Sequence, residues 1–362
     1  MRFRRPLDAL QVEPTTRCTR HCAVCPRTVL ADGWRSADLG AAIWARLRPD
    51  LRLAGYLHLQ GWGEPLLHPQ LRDMVRDARA ARCRVGLTTN GDLLEEHVLW
   101  IVDERMDRVA VSVAGAASRH AHLRDGSDLE AVWRGISELA RRRRRGRPKL
   151  QISYLLTADN AEDLAEVVRA AAAAGADEVF VTHLDVTPTV ELARSAAFNG
   201  EGLRPGLGAA LDRAMEQARV AKIAFRPPAR HPEELLACAL DPTRIAFMTQ
   251  SGRVAPCVNL GLPVDGAIIR RSGEEKYEVD QVFWGDLHEQ PLHEILDGAP
   301  ANRFRAPFVA RKAAEQRFLD ARKGWGPPAL RRLDRADRRR QAELINNPFP
   351  PECRGCPKAA GW

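Results

Sequence analysis

The chain has 362 residues, a net charge of +8 at neutral pH and eight cysteines, with 45% hydrophobic and 28% charged residues. Those are the proportions of a soluble globular protein of one large or two moderate domains, and no apolar run approaches the roughly 18 residues of a membrane helix. The start Met1-Arg-Phe-Arg-Arg-Pro6 lacks the apolar stretch of a signal peptide. The cysteines are therefore expected in a reducing cytoplasm as thiols or ligands, not as a disulfide framework. A pI near 9.3 permits an anionic partner, but abundant arginine, alanine and glycine can follow from base composition alone, so the charge carries little weight.

In chain order, a strand is expected at Ala9–Val12. From about Leu51 to Phe225 short β-branched runs alternate with amphipathic segments, the pattern of βα units on a parallel sheet. The strands read as Gly55–Gln60, Arg84–Thr88, Arg108–Val113, Leu150–Leu156 and Glu178–His183. The helices read as Pro69–Ala81, Glu95–Glu104, Leu129–Arg142, Ala161–Ala174 and Leu207–Val220. Six units are too few to close an eight-stranded barrel, and in barrels the chemistry gathers at the carboxyl ends of the strands. After Pro227 the style changes. Met248–Val254 reads as a hairpin, Gly285–Leu296 as a short strand and helix, and Asn302–Arg340 as a strongly basic helical segment that includes Lys323 and Trp325. No internal repeat is present.

The stretch Glu13-Pro-Thr-Thr-Arg-Cys18-Thr-Arg-His-Cys22-Ala-Val-Cys25 puts three thiols in eight residues. At this density a metal or iron–sulfur site outweighs three unrelated core cysteines. Three thiolates leave one iron of a four-iron cubane open. The Cys-x3-Cys-x2-Cys spacing resembles that of the radical S-adenosylmethionine (SAM) enzymes, and the resemblance implies that Cys18, Cys22 and Cys25 hold a 4Fe-4S cluster whose open iron chelates SAM. It also implies SAM contacts at three strand ends. Gly61-Trp-Gly63-Glu64-Pro65 resembles the family's Gly-Gly-Glu motif, in which backbone and carboxylate receive the methionine ammonium. Asn90, in Thr88-Thr-Asn-Gly91, resembles a common barrel turn, although Asn-Gly is a frequent turn dipeptide anywhere. Ser112 matches a ribose contact. The chain departs from the family at Val24, where an aromatic residue usually stands, and at Ala114, where an acid does.

A second set, Cys238, Cys257, Cys353 and Cys356, could fill a tetrahedral site, and spacing alone allows structural zinc or an iron–sulfur cluster. The hairpin, the Gly285-Asp-Leu strand and the terminal Cys-x2-Cys resemble the twitch or shortened SPASM module of radical SAM dehydrogenases and maturases, which implies an auxiliary 4Fe-4S cluster. Cys83 reads as a small buried thiol. Tyr154, His183 and Asp185 are candidates to face substrate. The run Arg141–Arg145 reads as a solvated helix end. The aromatics of the basic segment, Phe304, Phe308, Phe318 and Trp325, are not interleaved like a base-stacking platform, so it reads as a lid or insertion.

The expected architecture is thus α/β: a partial (β/α)6 TIM-like barrel over residues 1–228 and a smaller α+β auxiliary-cluster domain over 229–362, with the basic insertion at about 300–345. By the resemblance, reductive cleavage of SAM gives a 5′-deoxyadenosyl radical that abstracts a substrate hydrogen, and the auxiliary cluster takes up the second electron in a dehydrogenation or bond formation. A reductant such as flavodoxin or ferredoxin is implied. Only 17 residues precede Cys18, which favours a small molecule of natural-product or cofactor biosynthesis over the substrate of a peptide or protein maturase (RiPP or sulfatase type). A zinc-containing nucleic-acid binder is the reading from another class; it leaves Glu64 and the six βα units unexplained. No membrane contact is expected.

Overall fold

The computed structural model describes residues 5–199, 202–322 and 326–362; Lys323 and Trp325 of the basic segment lie outside them. Its strands are β1 (Leu7–Val12), β2 (Ala54–Leu59), β3 (Arg84–Thr89), β4 (Arg108–Val113), β5 (Lys149–Leu156), β6 (Glu178–His183), β7 (Ala224–Arg226), β8 (Ile245–Met248), β9 (Arg253–Ala255), β10 (Ile268–Ser272), β11 (Glu275–Val279) and β12 (Gly285–Asp286). Ten of them form one sheet in the order β12-β9-β8-β1-β2-β3-β4-β5-β6-β7, with β10 and β11 as a separate hairpin. From β8 through β7 every neighbouring pair is parallel, as crossover helices require. The expected βα alternation and partial barrel are present. The short β7 is an addition: three residues are too few to show a period in sequence.

Alternation assigns the two faces. On β5, Leu150, Ile152, Tyr154 and Leu156 are buried and join one core with Val132, Ile136 and Leu139 of the Leu129–Arg142 helix and Leu164 and Val168 of the Leu164–Ala173 helix. Each such side chain contributes on the order of 1.5–3 kcal/mol. The alternate residues Ser112, Ser153, Leu155, Phe180 and Thr182 are half-buried and lie on the other, inner face. Asp128 starts the Leu129–Arg142 helix by accepting from the amides of Glu130 (2.9 Å) and Ala131 (3.2 Å). At its far end Arg141 and Arg142 pair with Glu138 and Arg143 with Asp177.

Of the strands after 228, β8, β9 and β12 extend the main sheet and only β10 and β11 stand apart. β8 pairs in parallel with β1, and the β8–β9 hairpin turns at Gly252, whose φ of +88° favours glycine. The basic segment is two helices, Ala299–Ala321 and Pro327–Asn346. They are pinned by the buried Arg311, which donates to the carbonyls of Leu344 (2.9 Å), Asn347 (3.3 Å) and Leu235 and lies over the Phe349 ring. Among the described residues no helix is long and apolar enough to cross a membrane.

Candidate functional site

The first cysteine loop leaves the carboxyl end of β1 and is held from three sides. Arg27 folds back to donate to the carbonyls of Arg20 (2.8 Å) and Cys18 (3.3 Å). Asp92, just past β3, accepts from Thr19 (2.8 Å), Arg20 (2.5 Å) and Ser127 (3.2 Å). The amide nitrogen of Asn90 reaches Thr19 (2.8 Å) and lies 3.7 Å from the Cys18 sulfur. Cys18, Cys22 and Cys25 lie close enough to influence one another's ionisation. Burial raises the Cys18 thiol and pushes Cys25 up to about 12, against backbone N–H donors from Arg20 and Arg27 respectively.

The Gly61–Glu64 segment presses directly on this loop. A Cβ on Gly63 would sit 2.3 Å from the Thr15 carbonyl oxygen and 2.4 Å from that of Arg17, and the Glu64 amide donates to Arg17 at 2.8 Å. Gly61 abuts the side chain of Glu13. The Glu64 carboxylate faces inward: it accepts from Leu66 N–H (3.1 Å), the Thr89 hydroxyl (2.8 Å) and Asn90 N–H (2.6 Å), tying the end of β2 to the end of β3. Glu13 accepts from Trp62 N–H (2.8 Å) and Gln250 N–H (3.4 Å), so one carboxyl joins β1, the Gly61–Glu64 segment and the β8–β9 turn. Trp62 extends that link, its indole donating to the Val258 carbonyl at 3.3 Å beside Leu262, Val264 and Ile268. Glu13 and Trp62 brace the candidate site, a part that sequence reasoning did not assign them. Their signals are contacts across 237 residues for Glu13 and 196 for Trp62, which no local pattern carries.

Burial, opposed by the amide and hydroxyl donors, raises Glu64 to about 7 and Glu13 to about 8. An unfolded carboxyl ionises near 4.5, so the folded chain holds protons that the unfolded chain has released. The contribution is complete below about pH 4.5 and is lost as pH rises through 7 for Glu64 and 8 for Glu13. For Glu64 it is on the order of 3 kcal/mol. Glu64→Gln should flatten the fall in unfolding free energy between pH 5 and 8 by about that amount in urea titrations, while lowering stability at pH 5 through a mismatched donor. An unchanged slope would show that Glu64 is ionised throughout.

The second cysteine set is drawn together from three segments. Cys257 and Cys353 each respond to Cys238 and Cys356. Burial pushes Cys238 up to about 11 and Cys257 up to about 12, against N–H donors from Leu240 and Asn259. Arg270, only 1% exposed, holds both halves: it donates to the carbonyls of Glu352 (2.8 Å) and Arg354 (3.3 Å) around Cys353 and to that of Asn259 (2.9 Å) beyond Cys257. Its charge favours the Cys257 and Cys353 thiolates, a role the sequence reading missed because a lone strand arginine has no pattern.

Both sets fit cluster ligation by their donor chemistry. The main-chain N–H groups two positions on favour the thiolate at four of the sulfurs, as they do where protein tunes a sulfur-ligated centre. Among the described residues no three Cys, His, Asp or Glu side chains converge as one metal ion requires, about 2.3 Å from a common centre for zinc and sulfur. Buried neutral thiols also need an adjacent cation to become ligands, which iron supplies.

The three substrate-facing candidates fare differently. Tyr154 is fully buried on the outer face of β5, its hydroxyl donating to the Asn160 carbonyl at 2.6 Å. His183 is likewise on the outer side of β6, bonded to the Ala229 carbonyl at 2.8 Å and edge-on to Phe198 and Trp362. The pleat gives the inner face to Ser153 and Thr182. Asp185 lies past β6 and accepts from Asn259 (3.0 Å) and Lys358 (3.1 Å), a strut from barrel to second cysteine set; Lys358, above all, and Asn259 outweigh burial and hold it below the usual carboxylate range. Ser112 is on the inner face, opposite Ser153 in register. Cys83 is 4% exposed and donates to the carbonyls of Leu51 and Ala54, as a buried thiol does.

Residues 12–171 match the model of the Radical SAM superfamily. The chain is similar to the tungsten-containing aldehyde ferredoxin oxidoreductase cofactor-modifying protein of Pyrococcus furiosus, 25% identical over 310 residues that cover 82% of each chain. It is also similar to the PqqA peptide cyclase of Gluconobacter oxydans, 26% identical over 267 residues and 70% of each. In fold it resembles SuiB of Streptococcus suis bound to S-adenosylmethionine, with a TM-score of 0.59 at 12% identity over 83% of this chain and 68% of that one.

Proposed function

We propose that the protein is a radical SAM enzyme that carries an auxiliary iron–sulfur cluster and oxidises a small molecule, by dehydrogenation or bond formation, in natural-product or cofactor biosynthesis. The observation that carries this reading is the second cysteine set, gathered by Arg270 and braced against the end of β6 by the Asp185–Lys358 pair. Cys18, Cys22 and Cys25 would hold the SAM-binding 4Fe-4S cluster, and Cys238, Cys257, Cys353 and Cys356 the auxiliary one. When bound, the first cluster supplies the electron that cleaves SAM, and the second accepts the electron left on substrate.

The chain's own task is placement. Gly61 and Gly63 let the loop backbone close on the cysteine loop, Glu64 locks it to β3, Asn90 holds the Cys18 side, and Ser112 offers its hydroxyl to the cofactor sugar. The cofactor-modifying relative, which is matched along most of its length, supports a small-molecule substrate. The peptide cyclase similarity favours peptide modification as a second reading. Anaerobic incubation of the iron-loaded enzyme with SAM and dithionite tests the class: 5′-deoxyadenosine should accumulate over hours. A preparation with full iron content that forms none overturns the proposal.

A further inference from the structure

A cavity of about 300 Å³ opens beside the terminal cysteine loop, between the β10–β11 hairpin and the chain's last residues. Cys353 and Cys356 line it, whereas Cys238 and Cys257 do not. Its apolar wall is the stacked pair Phe198 and Trp362, with ring centroids 4.7 Å apart. Its polar lining includes Arg271, Arg354 and the Tyr277 hydroxyl, which donates to Glu275. Neither arginine forms an ion pair with a carboxylate among the described residues, and Arg271 keeps a buried Nε–H without any acceptor. Glu191 feels the charge of Arg271 without an ion pair between them.

We infer that this cavity binds a small organic anion, a carboxylate or phosphate on a planar ring. Two guanidinium groups without partners supply the fork-shaped donors that such anions take, and an unmade bond at a buried N–H is one a ligand can complete. The aromatic wall accepts the ring, and the volume lies at the lower end of small-molecule sites. The occupant would rest against the loop that carries two of the four cysteines. Nothing given by the barrel or its cofactor motifs assigns this place.

Titration calorimetry on the iron-loaded enzyme with benzoate, phenyl phosphate and the uncharged benzyl alcohol tests the inference. At least one anion should bind with millimolar or tighter affinity, benzyl alcohol at least tenfold more weakly, and the stronger of the two anions tells a carboxylate ligand from a phosphate. Arg271→Gln and Arg354→Gln should each weaken the anion about tenfold, while Arg331→Gln, on the distant exposed helix, should not. The bound anion should also shift the electron paramagnetic resonance of the reduced enzyme. Equal binding of benzyl alcohol, no binding of either anion, or affinity unchanged in both cavity variants overturns it. The binding readout does not depend on SAM cleavage, so an enzyme that binds the anion yet forms no 5′-deoxyadenosine would refute the radical reading and leave the cavity assignment standing.

Discussion

Gly63→Ala should all but abolish SAM binding, weakening it at least tenfold, and should destabilise the fold by about 1–3 kcal/mol. The added methyl would stand 2.3 Å and 2.4 Å from the carbonyl oxygens of Thr15 and Arg17 and 2.8 Å from the Thr16 carbonyl carbon. These are backbone atoms of the loop that carries Cys18, so relief requires moving the loop itself. Gly61→Ala meets the Glu13 side chain, which is buried and bonded but not backbone, and should be milder. Gly33→Ala, where a Cβ has nothing within 4 Å, is the control and should leave SAM affinity unchanged. Equilibrium dialysis with labelled SAM reads all three. Wild-type affinity in Gly63→Ala would mean that the contact between these two loops has no part in holding the cofactor.

The second large effect separates the two cysteine sets. Replacing Cys18, Cys22 and Cys25 together by alanine should remove about four irons per chain and all 5′-deoxyadenosine formation, because no other thiols lie on that loop. Replacing Cys353 and Cys356 should also remove about four irons but leave SAM cleavage measurable, uncoupled from product. Iron analysis beside product chromatography decides it. Full iron in the first variant, or loss of cleavage equal to it in the second, would dissolve the division of labour between the two sets.

Much of this was legible in the chain itself. The βα alternation is a local pattern, and the Leu129–Arg142 helix falls where its apolar spacing and Asp128 cap put it. The cysteine spacing is local too. Faces were harder. Tyr154 shares its face with the apolar Leu150, Ile152 and Leu156, and His183 with Val179 and Val181. A strict period of two assigns both to the helix-covered side and passes the inner face to Ser153 and Thr182. Glu13, Trp62 and Arg270 were invisible for another reason. Their partners, Gln250, Val258 and Glu352, lie far along the chain, and a single glutamate, tryptophan or arginine has no spacing to betray it.

The parallel pairing of β1 with β8 has a consequence for how the molecule comes into being. β1 is made early in synthesis, and it carries the cysteine loop, yet one of its two neighbours is supplied only after all the βα units have been made. Until then it is an open edge with unpaired main-chain groups, the kind of surface that recruits stray strands from other chains. Its closure is a contact of very long sequence separation, which is slow to form. The growing chain thus shows its first thiols beside an unfinished seam, and a cell that hurries its synthesis should see it aggregate before it can be loaded with iron.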